Sequence, residues 1–302
     1  MKPIVECVPN FSEGRRQEVI DQIVAAMAQV TGVQVLDVQS DPDHNRSVVT
    51  LVGAPQAIVE AAFQGIDRAA RLIDMNHHRG SHPRMGATDV VPLVPVQDVT
   101  MDDCVALARQ LGERVGHELG IPVYLYEAAA TRPDRRNLAD VRRGEYEGLK
   151  EEIATNPDRT PDFGPAAMGS AGATAIGARP PLIAFNVYLN TPDLTAAQAI
   201  ARAVRHSSGG LRYVKALGLL VEGQAQVSMN LTDYRHTPIH RVLELIRAEA
   251  ARYGLSVTRC QVVGLLPAQA LFDAARFYLQ LHDFSIDQVL ENRLAGLEHP
   301  SG

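Results

Sequence analysis

The 302-residue chain predicts an α+β protein made of two halves that follow one plan. Three observations carry this. The first half reads β-α-β-β-α-β and then a further α-β. The second half repeats β-α-β-β-α-β and adds helices. A Pro-, Gly- and Ala-rich stretch over 154–180 lies between them. In the first half, segment 3–8 is a short apolar strand. Val19, Ile20, Ile23, Val24 and Met27 then recur at helical spacing until Gly32. Residues 33–38 and 47–52 are strands joined by a polar loop, Ser40–Arg46. Pro55 suits the first turn of a helix over 55–74. Residues 89–96 make the next strand, where Pro92 and Pro95 suggest a sheet edge. Thr100 and Asp103 form a capping box for a helix over 101–119, and 122–126 is a further strand.

Residues 134–153 are charged and predict short helices. The stretch 154–180 has few apolar side chains and reads as an interdomain connection or a loop over a ligand. The second half opens with a strong strand at 182–189 and a helix from Pro192 to 206. Strands at 213–221 and 224–232 meet at a Glu222-Gly223 hairpin turn. A helix from Thr237 and Pro238 to 253, a strand at 256–263, a helix from Pro267 to 281 and a last short helix at 286–294 complete it. The order in each half is that of the ferredoxin-like unit, with helices on one face of a mainly antiparallel sheet. The expected subdomains are 1–178 and 179–302, with a cleft between them as the ligand site.

Composition narrows the function. No run of 18 apolar residues exists, and the N-terminus has neither the apolar stretch nor the cleavage site of a signal peptide, so the expected location is cytoplasmic with no membrane role. Cys7, Cys104 and Cys260 are far apart, odd in number and form no C-x-x-C pair, which argues for reduced thiols rather than disulfides or a zinc site. The formal net charge is −6 and no Lys/Arg block reaches five residues, so nucleic acid is not an expected partner.

Three polar clusters can carry chemistry. His77, His78, Arg79, His82 and Arg84 crowd one loop in a chain with ten His. Pro83 limits the backbone after His82, and an imidazole can take and return a proton near neutrality. The same residues would also make a plain solvated loop. In Ser40–Arg46, Asp41 and Asp43 can orient an imidazole or hold a cation, His44 sits between the charges, and Asn45 and Arg46 can bind a carboxylate. Asp, Pro and Asn also simply make turns. Asn10, Ser12 and Glu13 lie where a strand runs into a helix, as an anion site or an ordinary cap. The glycines at 164, 169, 172 and 177 match no nucleotide fingerprint, and His77, His78 and His82 lack metal-ligand spacing, so no metal is expected.

Six segments together resemble one family. ECVPNFSEG at 6–14, SHPRMGATDVVPLVPV at 81–96, PVYLYE at 122–127, PDFGP at 161–165, GARPPLIAFNVYLNT at 177–191 and QVSMNLTDY at 226–234 look like the formiminotransferase domain of glutamate formiminotransferases. The segments are in order and span almost the whole chain. The resemblance implies two α/β subdomains with a folate cleft, and transfer of a formimino group from N-formimino-L-glutamate to N5 of tetrahydrofolate, in histidine breakdown. Tetrahydrofolate is then a cosubstrate. A donor such as formiminoglycine or formylglutamate, or folate binding without catalysis, are the alternatives.

The resemblance also places roles. His82, in H-P-R-M-G with Arg84 and Gly86, is the implied catalytic base. Folate contacts map to about 163–172, with Phe163, Gly164, Gly169 and Gly172 as candidates. Animal members carry an Asp where Gln39 stands here, so Asp41 is the expected partner that orients His82. Arg46, Arg84 and Arg179 are candidates for the carboxylates of glutamate and folate, and Asn186 and Asn230 for further substrate contacts. Animal members are often fused to a cyclodeaminase, which this chain is too short to include; a separate cyclodeaminase is the implied partner. Base rates for soluble oligomers make a homodimer the expectation.

Overall fold

In the computed structural model of the chain, which describes residues 2–298, β1 (Ile4–Cys7) and β2 (Asn10–Phe11) are two pieces of one strand, broken at Val8 and Pro9. They are followed by α1 (Gln17–Ala28), β3 (Val33–Asp41), β4 (Arg46–Gly53), α2 (Pro55–Leu72) and β5 (Thr88–Gln97). Then come α3 (Met101–Arg114) with a π-helical turn at Val115–Leu119, β6 (Val123–Glu127), α4 (Leu138–Val141), α5 (Glu145–Glu152) and β7 (Thr174–Ala178). The chain divides into two compact units, one ending at Pro180 and the other starting at Pro181.

The first sheet runs β3-β4-β1/β2-β5-β7-β6. Its first four positions are antiparallel and have the strand order of a ferredoxin-like unit. β7 pairs parallel to β5 on one side and to β6 on the other. Helices α1 to α3 cover one face. The buried stripe Val19, Ile20, Ile23 and Met27 of α1 is the one the spacing predicts. Pro55 opens α2, and Thr100 and Asp103 form the capping box of α3. On the other face a second cluster, with Tyr124, Tyr126, Val141, Leu149 and Ile153, lies under α4 and α5.

The second unit comprises β8 (Ile183–Leu189), α6 (Leu194–Val204), β9 (Val214–Val221), β10 (Gln224–Leu231), α7 (Ile239–Ala251), β11 (Val257–Val263), α8 (Ala268–Tyr278) and α9 (Leu290–Glu298). Its sheet, β11-β8-β10-β9, is antiparallel throughout. Glu222 and Gly223 both have positive φ, 51° and 73°, as a two-residue hairpin turn with the strands' own twist requires. Asp193, not Pro192, caps α6.

Three expectations are corrected. β5 is interior, not an edge. Its prolines sit where pairing with the first strand is irregular: Pro92 faces the break at Val8, whose N–H donates to the Pro92 carbonyl at 3.2 Å, and Pro95 lies at a register shift. The loop Ser40–Arg46 is shorter than expected, since β3 runs to Asp41 and β4 starts at Arg46, leaving a four-residue turn over 42–45. The stretch 154–180 contains the wholly buried β7. Ala and Gly are poor strand formers by propensity, so TAIGA does not announce itself. The small residues are a packing requirement: a Cβ on Gly177 would lie 2.5 Å from Cδ1 of the Tyr126 ring.

Gly177→Ala therefore lowers stability by about 1–3 kcal/mol. Gly169, with nothing near its Cβ direction, is the control, and Gly169→Ala shifts stability by no more than about 0.5 kcal/mol. Urea denaturation of the two variants measures the difference.

Candidate active site

The β3–β4 turn is the place where three chain segments meet, and Asn45 joins them. Its φ of 49° is one that Asn tolerates better than most residues. Its side chain accepts from Gly14 N–H at 3.0 Å and donates to the Arg79 carbonyl at 2.9 Å. Its own carbonyl receives Nε2 of His78 at 3.0 Å. The segment at 10–14 and the His-rich loop both cross the turn at a glycine. A Cβ on Gly14 would strike backbone atoms of Asp41 and Arg46, and one on Gly80 would strike the His44 carbonyl.

Around this junction one pocket is lined by Phe11, Ser12, His44, Asn45 and Arg46 from the strand side. His78, His82, Arg84 and Asp89 line it from the loop and β5. The sequence-predicted residues Asn10, Ser12, Glu13, Asp41, His44, Asn45, Arg46 and His82 thus fall in one region of the first unit. Ser12 donates to the Gly86 carbonyl at 2.7 Å, and its N–H donates to the Ala87 carbonyl at 2.9 Å. Glu13 is buried, and its carboxylate takes the N–H groups of Arg15 and Arg16, each at 2.9 Å. The anion at the start of α1 is therefore the protein's own.

Asp41 does not pair with His82. Its Oδ2 lies 2.8 Å from Nδ1 of His44, and its Oδ1 accepts the N–H groups of Asp43 and His44, each at 2.9 Å. A short Asp at the start of a turn bonds its own loop most readily. Burial works against the Asp41 carboxylate, but the His44 N–H and imidazole hold its pKa below the usual range. His44 in turn presents its ring edge-on to His82, with centroids 6.0 Å apart and planes at 80°.

His82 is half-buried, and its Nδ1 has no hydrogen-bond partner. Burial, and then the charges of Arg46, Arg142 and His44, bring its pKa down from 6.5 to about 2. The imidazole is neutral at pH 7. Arg46 donates to the side-chain carbonyl of Asn10, while its buried Nε has no partner. Burial and the neighbouring Arg142 lower the Arg46 pKa to about 10, so it stays a cation.

Arg84 is committed elsewhere. It donates to Glu145 at 2.8 Å and to both oxygens of Glu147 at 2.8 and 2.7 Å, and its Nε reaches Nδ1 of His78 at 3.3 Å. These bonds strap α5 onto the His-rich loop, with Tyr146 N–H on the Arg84 carbonyl at 2.9 Å. Arg179 lies beside Glu6 and Tyr126. Gly172, at φ 73°, bridges to Gly86, and neither has room for a Cβ. Ala171 and Met85 carbonyls accept from Ala87 and Ala173, so the glycine-rich stretch runs along the H-P-R-M-G segment. Gly169 lies just before this crossing, its carbonyl accepting from Gly172 N–H at 3.1 Å. Phe163 instead packs on Gly112 and Gly116 of the α3 region, and Gly164 turns there at φ 82°. Asn186 and Asn230 belong to the second unit's sheet, on β8 and β10.

Sequence reasoning missed Asp89, which lines the pocket, and Arg142, which pairs with it. Asp89, 2% exposed on β5, accepts from Met85 N–H at 3.0 Å and pairs with Arg142 after α4. Fifty-three residues separate the pair, and no local pattern marks it. Among the described residues, no group of three His, Cys, Asp or Glu is placed to hold a metal ion.

The low pKa of His82 makes stability depend on pH. Because the folded-state pKa lies below the unfolded 6.5, the unfolded chain takes the proton first, and stability falls as pH drops below about 6.5. Above that value both states are neutral and His82 adds no pH dependence. His82→Asn therefore has a shallower loss of stability between pH 6.5 and about 4 than the wild type, as denaturant midpoints across that range will read.

Comparison with known proteins identifies the family. Residues 4–179 match the formiminotransferase domain, N-terminal subdomain, and residues 184–295 match the formiminotransferase domain. A glutamate formimidoyltransferase of Thermoplasma acidophilum is 53% identical over 96% of this chain and 97% of its own. One of Streptococcus pyogenes is 51% identical over 98% of this chain and 100% of its own. A formimidoyltransferase-cyclodeaminase of Rattus norvegicus is 47% identical over 92% of this chain but only 53% of its own length. The chain belongs to the formiminotransferase family.

Proposed function

We propose that the protein is a glutamate formimidoyltransferase, which moves the formimino group of N-formimino-L-glutamate to N5 of tetrahydrofolate. The observation that carries this reading is the neutral imidazole of His82, with Nδ1 free of a hydrogen-bond partner, in a pocket shared with Arg46, within a chain about half identical to two glutamate formimidoyltransferases along nearly their whole length.

The reaction needs one proton moved between two nitrogens. N5 of the folate adds to the formimino carbon, and an N–C bond forms. The bond from that carbon to the glutamate nitrogen then breaks, and its electron pair leaves with the amine. The N5 proton ends on that amine. A single base can take the proton at one nitrogen and return it at the other, and His82 has a free ring nitrogen for this. Asp41 acts through His44: its carboxylate fixes the ring that meets His82 edge-on. The leaving amine departs once protonated, so the step is complete with these groups. The protein works in the cytoplasm as a homodimer, with a separate cyclodeaminase as partner. The longer relatives named formimidoyltransferase-cyclodeaminase support that pairing of activities.

The first test mixes protein, N-formimino-L-glutamate and tetrahydrofolate, quenches in acid and measures methenyltetrahydrofolate by absorbance. Turnover is the expected result, and its absence with folate binding intact would favour another donor or a folate binder without catalysis. His82→Ala lowers kcat by about 10²–10⁴ and leaves tetrahydrofolate affinity within a factor of three or so of wild type. Near-normal turnover in that variant overturns the role of His82.

A further inference from the structure

We infer that Arg46 is the residue that receives the α-carboxylate of the amino-acid donor, an assignment that rests on the reaction proposed above. Three arginines bear on this choice. Arg84 is saturated by Glu145 and Glu147. Arg142 is paired with the buried carboxylate of Asp89. Among the described residues, Arg46 makes no ion pair. Its one hydrogen-bond acceptor is the neutral amide of Asn10, and its buried Nε is unsatisfied. Asp41, opposite Arg46 in the strand register, has given its carboxylate to His44 and the turn. Asp89 and Asp41 act on Arg46 only at a distance, and a buried guanidinium with an open donor and no directly paired carboxylate is the feature that a ligand carboxylate completes.

Geometry selects which carboxylate. Arg46 and His82 line the same pocket. In the donor the formimino nitrogen is bonded to Cα, so the α-carboxylate lies next to the reacting carbon. The γ-carboxylate is two methylenes further out, and the glutamyl tail of the folate is separated from N5 by the pterin and the aminobenzoyl ring. A carboxylate held beside the imidazole is therefore the α-carboxylate. Arg46 then separates amino-acid donors from simple amines, while glutamate and glycine donors satisfy it equally.

The test compares N-formimino-L-glutamate with N-formimino-4-aminobutyrate, which lacks only the α-carboxylate. With wild type, the analogue loses about a hundredfold or more in kcat/KM. Arg46→Gln loses about as much with the glutamate donor and little further with the analogue, while Arg46→Lys recovers part of the loss. Equal losses for both donors in Arg46→Gln, no discrimination by wild type, or a loss that disappears when tetrahydropteroate replaces tetrahydrofolate would each overturn the assignment. Calorimetric titration of L-glutamate separates this inference from the reaction itself. Glutamate binding weakened tenfold or more in Arg46→Gln, in a protein that shows no turnover, retains the carboxylate site and rejects the reaction. Turnover with glutamate binding indifferent to Arg46 does the reverse. Should Arg46→Gln fail to fold, the wild-type comparison of the two donors decides.

Discussion

The hydrogen bonds of Asn45 are the constraint on which the rest of the site depends. One side chain and one carbonyl tie the β3–β4 turn to the 10–14 segment and to the His-rich loop. The turn must take a positive φ at Asn45, and both crossing segments must be glycine where they touch it. His78 extends the same lattice. With Nε2 on the Asn45 carbonyl and Nδ1 receiving Arg84, it is a neutral relay, and burial first of all keeps its pKa low. Arg84 carries the connection to α5. A loop that carries three histidines is thus held at both ends, and His82 lies between the anchored Gly80 and the anchored Arg84.

Charge is arranged with equal economy. Arg46 and Arg142 bring two cations to a buried space, and Asp89 answers only Arg142 directly. This excess of positive charge, on top of burial, keeps His82 unprotonated. Buried charges without partners are costly, and a fold that retains one gives up stability for a binding or catalytic purpose. The expense is borne by a rigid frame: β5, interior in a seven-stranded sheet, carries Asp89, and β4 carries Arg46.

Much of the fold was legible because it rests on local periodicity. The stripe of α1, the capping box of α3 and the Glu222-Gly223 turn each depend on residues a few positions apart. β7 was hidden because its residues answer to a distant ring, Tyr126, rather than to strand propensity. Pro92 and Pro95 misled for a related reason: their missing N–H groups face irregularities in β1, which the sequence of β5 does not reveal. In the site, His82 and Arg46 stood out through local density of polar residues and through the family resemblance. The partner of Asp41 did not, since a hydrogen bond to His44, three residues on, competes with any longer-range contact. The Asp89–Arg142 pair joins β5 to the end of a four-residue helix and leaves no mark in either segment.

The depressed basicity of His82 looks at first unsuited to a base, because a proton acceptor works best with a pKa near the working pH. The resolution lies in what depresses it. Burial alone is a fixed contribution, but the contribution of Arg46 depends on whether that guanidinium has a counter-ion. A donor carboxylate on Arg46 screens the cation that, after burial, depresses the imidazole most, and the imidazolium becomes less unfavourable at the moment a proton must be taken. When glutamate leaves, the excess charge returns and His82 is driven back to its neutral form. Burial is the larger cause and stays in place, so a donor carboxylate on Arg46 offsets only the share of the depression that this guanidinium supplies.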